Sequence, residues 1–87
     1  MALLSRKVIA QVSGRSASEL GVMSWEWIMR ADGQVCYRLT KVNGRRERNP
    51  WTPAAQLPAA ELEAIRGDGA KATQALEVIV RQHGHRR

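Results

Sequence analysis

The sequence predicts an α+β domain: an antiparallel three- to four-stranded β-meander packed against a C-terminal helix, with a shorter helix preceding it. Three observations carry this reading. Large apolar and smaller or polar residues alternate over positions 23–29 and again over 35–40, and a period of two is that of a half-buried strand. Asp32-Gly33 and Asn43-Gly44 follow those two runs, and both dipeptides accept the positive φ angles of tight hairpin turns. Ala72, Leu76, Ile79, Val80 and His83 then recur at the 3/4 spacing of one buried helical stripe.

At 87 residues the chain suffices for one small domain, 1–87, with a single shared core. Ala2-Leu3-Leu4 precedes Arg6 and Lys7, the reverse of a secretory leader's order. The lone Cys36 has no internal disulfide partner, and no apolar run nears the roughly 18 residues of a membrane helix. A cytoplasmic protein without membrane contact is expected. Residues 7–12, Lys-Val-Ile-Ala-Gln-Val, form a β-branched run bounded by Ser13-Gly14 and predict a further strand, its pairing edge undecided. Ser16-Ala17-Ser18-Glu19 has the spacing of a capping box, and Gly21 cuts it short, so a helical turn or loop is expected there.

If both meander turns are two-residue loops, the register follows. Ala31 faces Gln34, Met29 faces Cys36, Trp27 faces Arg38, Trp25 faces Thr40, and Val42 faces Arg45. Trp25, Trp27 and Met29 then share a face with Cys36 and Arg38, while Val35, Tyr37 and Leu39 share the other with Lys41, Arg46 and Arg48. The helices should cover one face and leave the other partly exposed. Pro50 and Pro53 cannot donate to a ladder, so 49–57 should leave the sheet as an extended connection anchored by Trp51. A helix should begin with Pro58 at its first position and end at Gly67. The main helix should run over 69–83, with Asp68 as N-cap and Gly84 as its stop. The basic tail 84–87 should be flexible.

Charge is uneven. Fourteen Lys and Arg against eight Asp and Glu give +6, a balance that favours polyanions or an acidic protein face. The densest block is +4 over residues 38–48, whereas 16–37 and 49–80 each sum to −2. Eleven of the bases are Arg, whose planar fork suits phosphates, carboxylates and aromatic faces. Against this stands a plain alternative, a solvated basic hairpin that binds nothing.

No constellation points to catalysis, metal or cofactor. His83 and His85, two apart, do not share a helix face and have no Cys or carboxylate close by in sequence, so tail histidines without a metal are expected. Cys36, in mid-strand, suits a small core residue better than a nucleophile. Gly67-Asp68-Gly69-Ala70-Lys71 lacks the spacing of a phosphate-binding loop, and Asp68 repels anions. A meander followed by a helix that opens in Gly67-x-Gly69-x-Lys71 resembles double-stranded RNA-binding domains over residues 67–76, and the resemblance implies phosphate contact at that helix start. The chain departs from that pattern in having one Lys instead of a cluster, no N-terminal helix, and an extra helix before the last. A three-stranded sheet bearing Trp and Arg also resembles, in outline, the plant sheet domains that read the DNA major groove.

The expected function is that of a small, basic, non-enzymatic binding module that takes nucleic acid on the hairpin 38–48. Arg38, Lys41, Arg45, Arg46 and Arg48 would meet phosphates or guanine edges, with Trp51 as a further contact. The alternative is a protein-binding inhibitor or adaptor of the mobile-element kind, similar in size to anti-CRISPR proteins, that occludes an acidic or nucleic-acid-binding face. A homodimer through an exposed sheet edge is compatible with either.

Overall fold

The computed structural model describes residues 7–84. Its elements are β1 (Val8–Ser18), β2 (Gly21–Arg30), β3 (Gln34–Val42), β4 (Arg45–Arg46), β5 (Thr52–Gln56), α1 (Ala59–Ile65) and α2 (Gly69–Gly84). One antiparallel sheet runs in the order β1-β2-β3-β4, and β5 also pairs with β3. The α+β meander with α2 packed on it is therefore observed. No helix among the described residues is long and apolar enough to cross a membrane.

β1 is longer than its sequence suggests. It pairs with β2 from Val8↔Arg30 to Ser18↔Gly21, so residues 16–18 continue the strand where a helical turn was expected. The capping-box spacing is overridden because ladder bonds to β2 satisfy the backbone, and only Glu19 and Leu20 form the turn. This also settles the edge: β1 lies on the outer side of β2.

The β2–β3 register differs by one residue from the two-residue expectation. Met29 pairs with Val35, Ile28 with Cys36, Trp27 with Tyr37, Glu26 with Arg38 and Trp25 with Leu39. The cause is the turn, which has three residues instead of two. Gly33 N–H donates to the Arg30 carbonyl (2.8 Å) with Gly33 at φ +90°, and Gln34 N–H donates to Asp32 Oδ1 (2.9 Å). A left-handed third residue closes a three-residue hairpin, and a one-residue slip exchanges the faces of the partner strand. Trp25, Trp27 and Met29 consequently share their face with Val35 and Tyr37, and Cys36 and Arg38 point the other way. Thr40 is the extra residue of a bulge, its hydroxyl donating to the Ser24 carbonyl (3.2 Å), and beyond it Ser24↔Lys41 and Met23↔Val42 resume the expected pairing. The second turn is the two-residue one: Asn43 and Gly44 both have positive φ, and Val42 faces Arg45.

The proline segment rejoins the sheet. Thr52–Gln56 pairs with β3, Cys36 opposite Pro53, with a register shift beside it. Pro53 is tolerated because β5 is an edge strand and the shift relieves the missing donor. Between β4 and β5 the chain swings outward, and Asn49 Nδ2 donates to the Leu39 carbonyl (3.0 Å), which fills a gap in the ladder.

Pro58 is the N-cap of α1, with an extended ψ of 150°, so the helix begins at Ala59, one residue later than expected, and Gly67 at φ +76° follows its end. Asp68 caps α2 as expected, its Oδ1 accepting from Lys71 N–H (3.1 Å). α2 crosses β1 and β2. The core between them holds Ala10, Trp27, Met29, Val35, Leu57, Ala72 and Leu76, with Ile79 and Val80 packed at its margin. The stripe Ala72, Leu76, Ile79, Val80 is therefore the docking face of the helix. Of the tail expected to be flexible, only Gly84, in α2, is among the described residues.

Candidate nucleic-acid interface

The sheet face away from α2 carries the site. Register aligns Arg15, Ser24, Lys41 and Arg46 in one row across β1, β2, β3 and β4. With strands about 4.8 Å apart, the row spans about 14 Å. All three cations are exposed. The next row is Ser13, Glu26 and Arg38. Here Glu26 accepts from Gln11 on one side and pairs with Arg38 on the other, with Arg38 Nη2 at 3.1 Å from Glu26 Oε1. The Arg38 guanidinium lies 4.2 Å from the Trp51 ring centroid, a cation–π arrangement that holds both side chains in place.

These rows line an open groove of about 1030 Å³. Its wall includes Arg15, Arg38, Lys41, Arg46 and Arg48, against Glu26 and Glu47. Cations thus outnumber acids in it, and the hydroxyls of Ser13, Ser24 and Thr40 lie between them.

The structure places the residues singled out from sequence in three ways. Lys41, Arg46 and Arg48 come together in the groove and are exposed. Arg38 lines it too, but is half-buried and tied to Glu26 and Trp51. Arg45 pairs with Val42, alternates to the other side of the ribbon, and does not line the groove. Trp51 is half-buried as the platform for Arg38. Arg15 was missed. Its segment reads locally as a cap and loop, and only the pairing of β1 with β2 carries it to the basic row. An alternation test over 8–18 finds Ala10, Val12 and Gly14 facing α2 and Gln11, Ser13 and Arg15 facing the groove, a weak signal with so few large apolar residues.

A second groove, of about 560 Å³, opens on the α2 side, lined by Trp25, Trp27, Tyr37, Arg15, Arg81 and His83 among others. The rings form a continuous set: Trp27 and Tyr37 centroids are 4.9 Å apart and edge-to-face, Trp25 and Tyr37 5.9 Å, Trp27 and His83 5.8 Å. Spacings of this size are those of favourable aromatic pairs. His83, the last position of the expected helical stripe, stands in α2 against Trp27.

Among the described residues no three His, Cys, Asp or Glu side chains gather as metal ligands. Cys36 is buried, as expected of a core residue, but on the groove side of the sheet, paired with Ile28. At the start of α2, Asp68 occupies the position where the resemblance to double-stranded RNA-binding domains implied phosphate contact. Comparison with protein-family models, curated proteins and solved structures finds no match.

Proposed function

We propose that this protein is a nucleic-acid-binding module that takes the phosphate backbone on the sheet face opposite α2. The carrying observation is the single cross-strand row of Arg15, Lys41 and Arg46. Each of these cations is exposed, and none is ion-paired with an acid among the described residues. The row is about 14 Å long and offers three successive cations, one for each of three phosphate contacts. Arg48 extends the field along the groove, and Arg38, paired with Glu26 and held over Trp51, lies at its margin. The groove's amide, Asn49, is engaged through its Nδ2 with the Leu39 carbonyl, and small hydroxyls otherwise lie between the cations, so the expected recognition is of backbone and shape.

The test replaces Arg15, Lys41 and Arg46 together by Ala and follows binding to a generic oligonucleotide as salt is varied. Exposed charges contribute little to folding, so the melting transition should stay near that of the wild type. Affinity at low salt should fall steeply, and the slope of log K against log salt should flatten by about 2 to 3, the loss of three phosphate contacts. A triple variant that keeps the wild-type slope overturns the assignment. If the wild type itself binds no nucleic acid at low salt, the row belongs to an acidic protein partner instead.

A further inference from the structure

We propose that the aromatic groove beside α2 receives an unstacked base of a single nucleic-acid strand whose phosphates lie on the Arg15-Lys41-Arg46 row. This rests on the reading of that row as a phosphate track and adds the class of strand it takes. Three observations lead to it. The two grooves are contiguous: Gly14, Arg15 and Trp25 line both. At their junction the sheet edge is thin, because Gly14 carries no side chain and nothing stands within 4 Å of where a Cβ would be. The lining of the second groove suits an anionic aromatic ligand, with Trp25, Trp27 and Tyr37 as its ring surfaces, Arg15 and Arg81 as its cations, and no carboxylate.

A strand that follows the basic row toward β1 arrives at Arg15 and passes over Gly14, which brings the next base to Trp25 and Tyr37. Trp25 is held for this by its neighbours, its Nε1–H donating to Ser16 Oγ (3.4 Å) and its ring tilted at 43° to Tyr37. Both rings are half-buried, so part of each remains open to a ligand. Base–aromatic stacking of this kind is tolerant of sequence and adds to a backbone-tracking field. A duplex keeps its bases paired and stacked, and to use the groove it would first have to release one at an energetic cost. The site therefore favours a single strand.

The experiment measures binding of a 12-nucleotide oligothymidylate, a duplex of equal length and thymidine monophosphate, using the wild type, Tyr37→Leu and Arg81→Glu. Tyr37 and Arg81 line only the second groove. Tyr37→Leu keeps an apolar side chain and removes the ring, and single-strand affinity should fall about 5- to 100-fold, while the salt slope and duplex affinity stay put. Arg81→Glu, on the exposed side of α2, keeps the test open if the Tyr37 variant fails to fold. It should weaken the single strand several-fold and spare the duplex. In a Trp51→Phe background, the single strand should quench tryptophan emission more than the duplex does. If both groove variants bind the single strand as the wild type does while the Arg15/Lys41/Arg46 variant loses it, the aromatic site is overturned and the phosphate track stands. Monophosphate binding as tight as the strand's overturns the strand and leaves a nucleotide pocket. Absence of binding to strand and duplex alike at low salt removes both proposals.

Discussion

Gly33 and Gly44 both sit at positive φ, +90° and +82°, yet they constrain the chain differently. A Cβ on Gly33 would meet Gln56 Nε2 at 2.8 Å and the Leu57 carbonyl oxygen at 3.1 Å. Those neighbours are fixed, since Leu57 N–H donates to the Gly33 carbonyl (2.9 Å) and Gln56 Nε2 to the Asp32 carbonyl (2.8 Å). On Gly44 a Cβ meets nothing within 4 Å. Gly44→Ala should therefore cost about 1 to 2 kcal/mol, the left-handed strain alone. Gly33→Ala should cost clearly more, because it also loosens β5 from the turn. Urea melts of the two variants give the comparison, and equal losses would mean that the packing of β5 on the turn contributes nothing. The same position explains the slip in register. From sequence, Asp32-Gly33 reads like Asn43-Gly44, and the difference lies in contacts from residues 56 and 57, more than twenty positions downstream.

Sequence and structure agree where one element decides its own form. α2 is legible because its cap and stripe are local: Asp68 holds Lys71 N–H, and Ala72, Leu76, Ile79 and Val80 fall on one side. Leu76 is fully buried between α2 and the sheet, so Leu76→Ala should cost about 2 to 5 kcal/mol, a large part of the stability expected of a domain this size. Denaturant titration checks it, and a loss below about 0.5 kcal/mol, well under that range, would displace the helix from the core. β5 and the second half of β1 were not legible, because each becomes a strand only through its partner. Residues 52–56 contain Pro53 and two alanines, and residues 13–18 are Ser, Gly, Arg and Ala. Neither run alternates strongly, and both are recruited by the unpaired edges of β3 and β2. The consequence for the site is direct, since Arg15 is brought by such a recruited strand while Lys41 and Arg46 come from a hairpin visible in the sequence.

Taken together, the sheet separates two tasks between its faces. The α2 side holds the main core and the aromatic groove with Arg81, and the other side holds the cross-strand row of cations. Glu26 is the principal acid on that basic side, and its register neighbour Arg38 is the cation it restrains. Glu26 side-chain exposure is 21% and that of Arg38 38%, so the pair is partly solvated and should add little to stability, at most about 1 kcal/mol. Its larger effect is on the field: it neutralises one cation of the groove, Arg38, and fixes that guanidinium's direction over Trp51. Glu26→Gln keeps one acceptor oxygen for Arg38 and removes the negative charge, and its amide nitrogen can donate to the Gln11 amide oxygen once that group turns over. If phosphates lie on this face, the variant should fold with nearly unchanged stability and bind oligonucleotides several-fold more tightly at low salt. Its salt slope should steepen by up to about 0.9, as Arg38 becomes available for one more phosphate. The gain should vanish at high salt, where a screened groove no longer distinguishes the two proteins. An unchanged affinity at low salt would mean that the ligand does not approach Glu26 and Arg38, and would confine the phosphate track to the outer row of Arg15, Lys41 and Arg46.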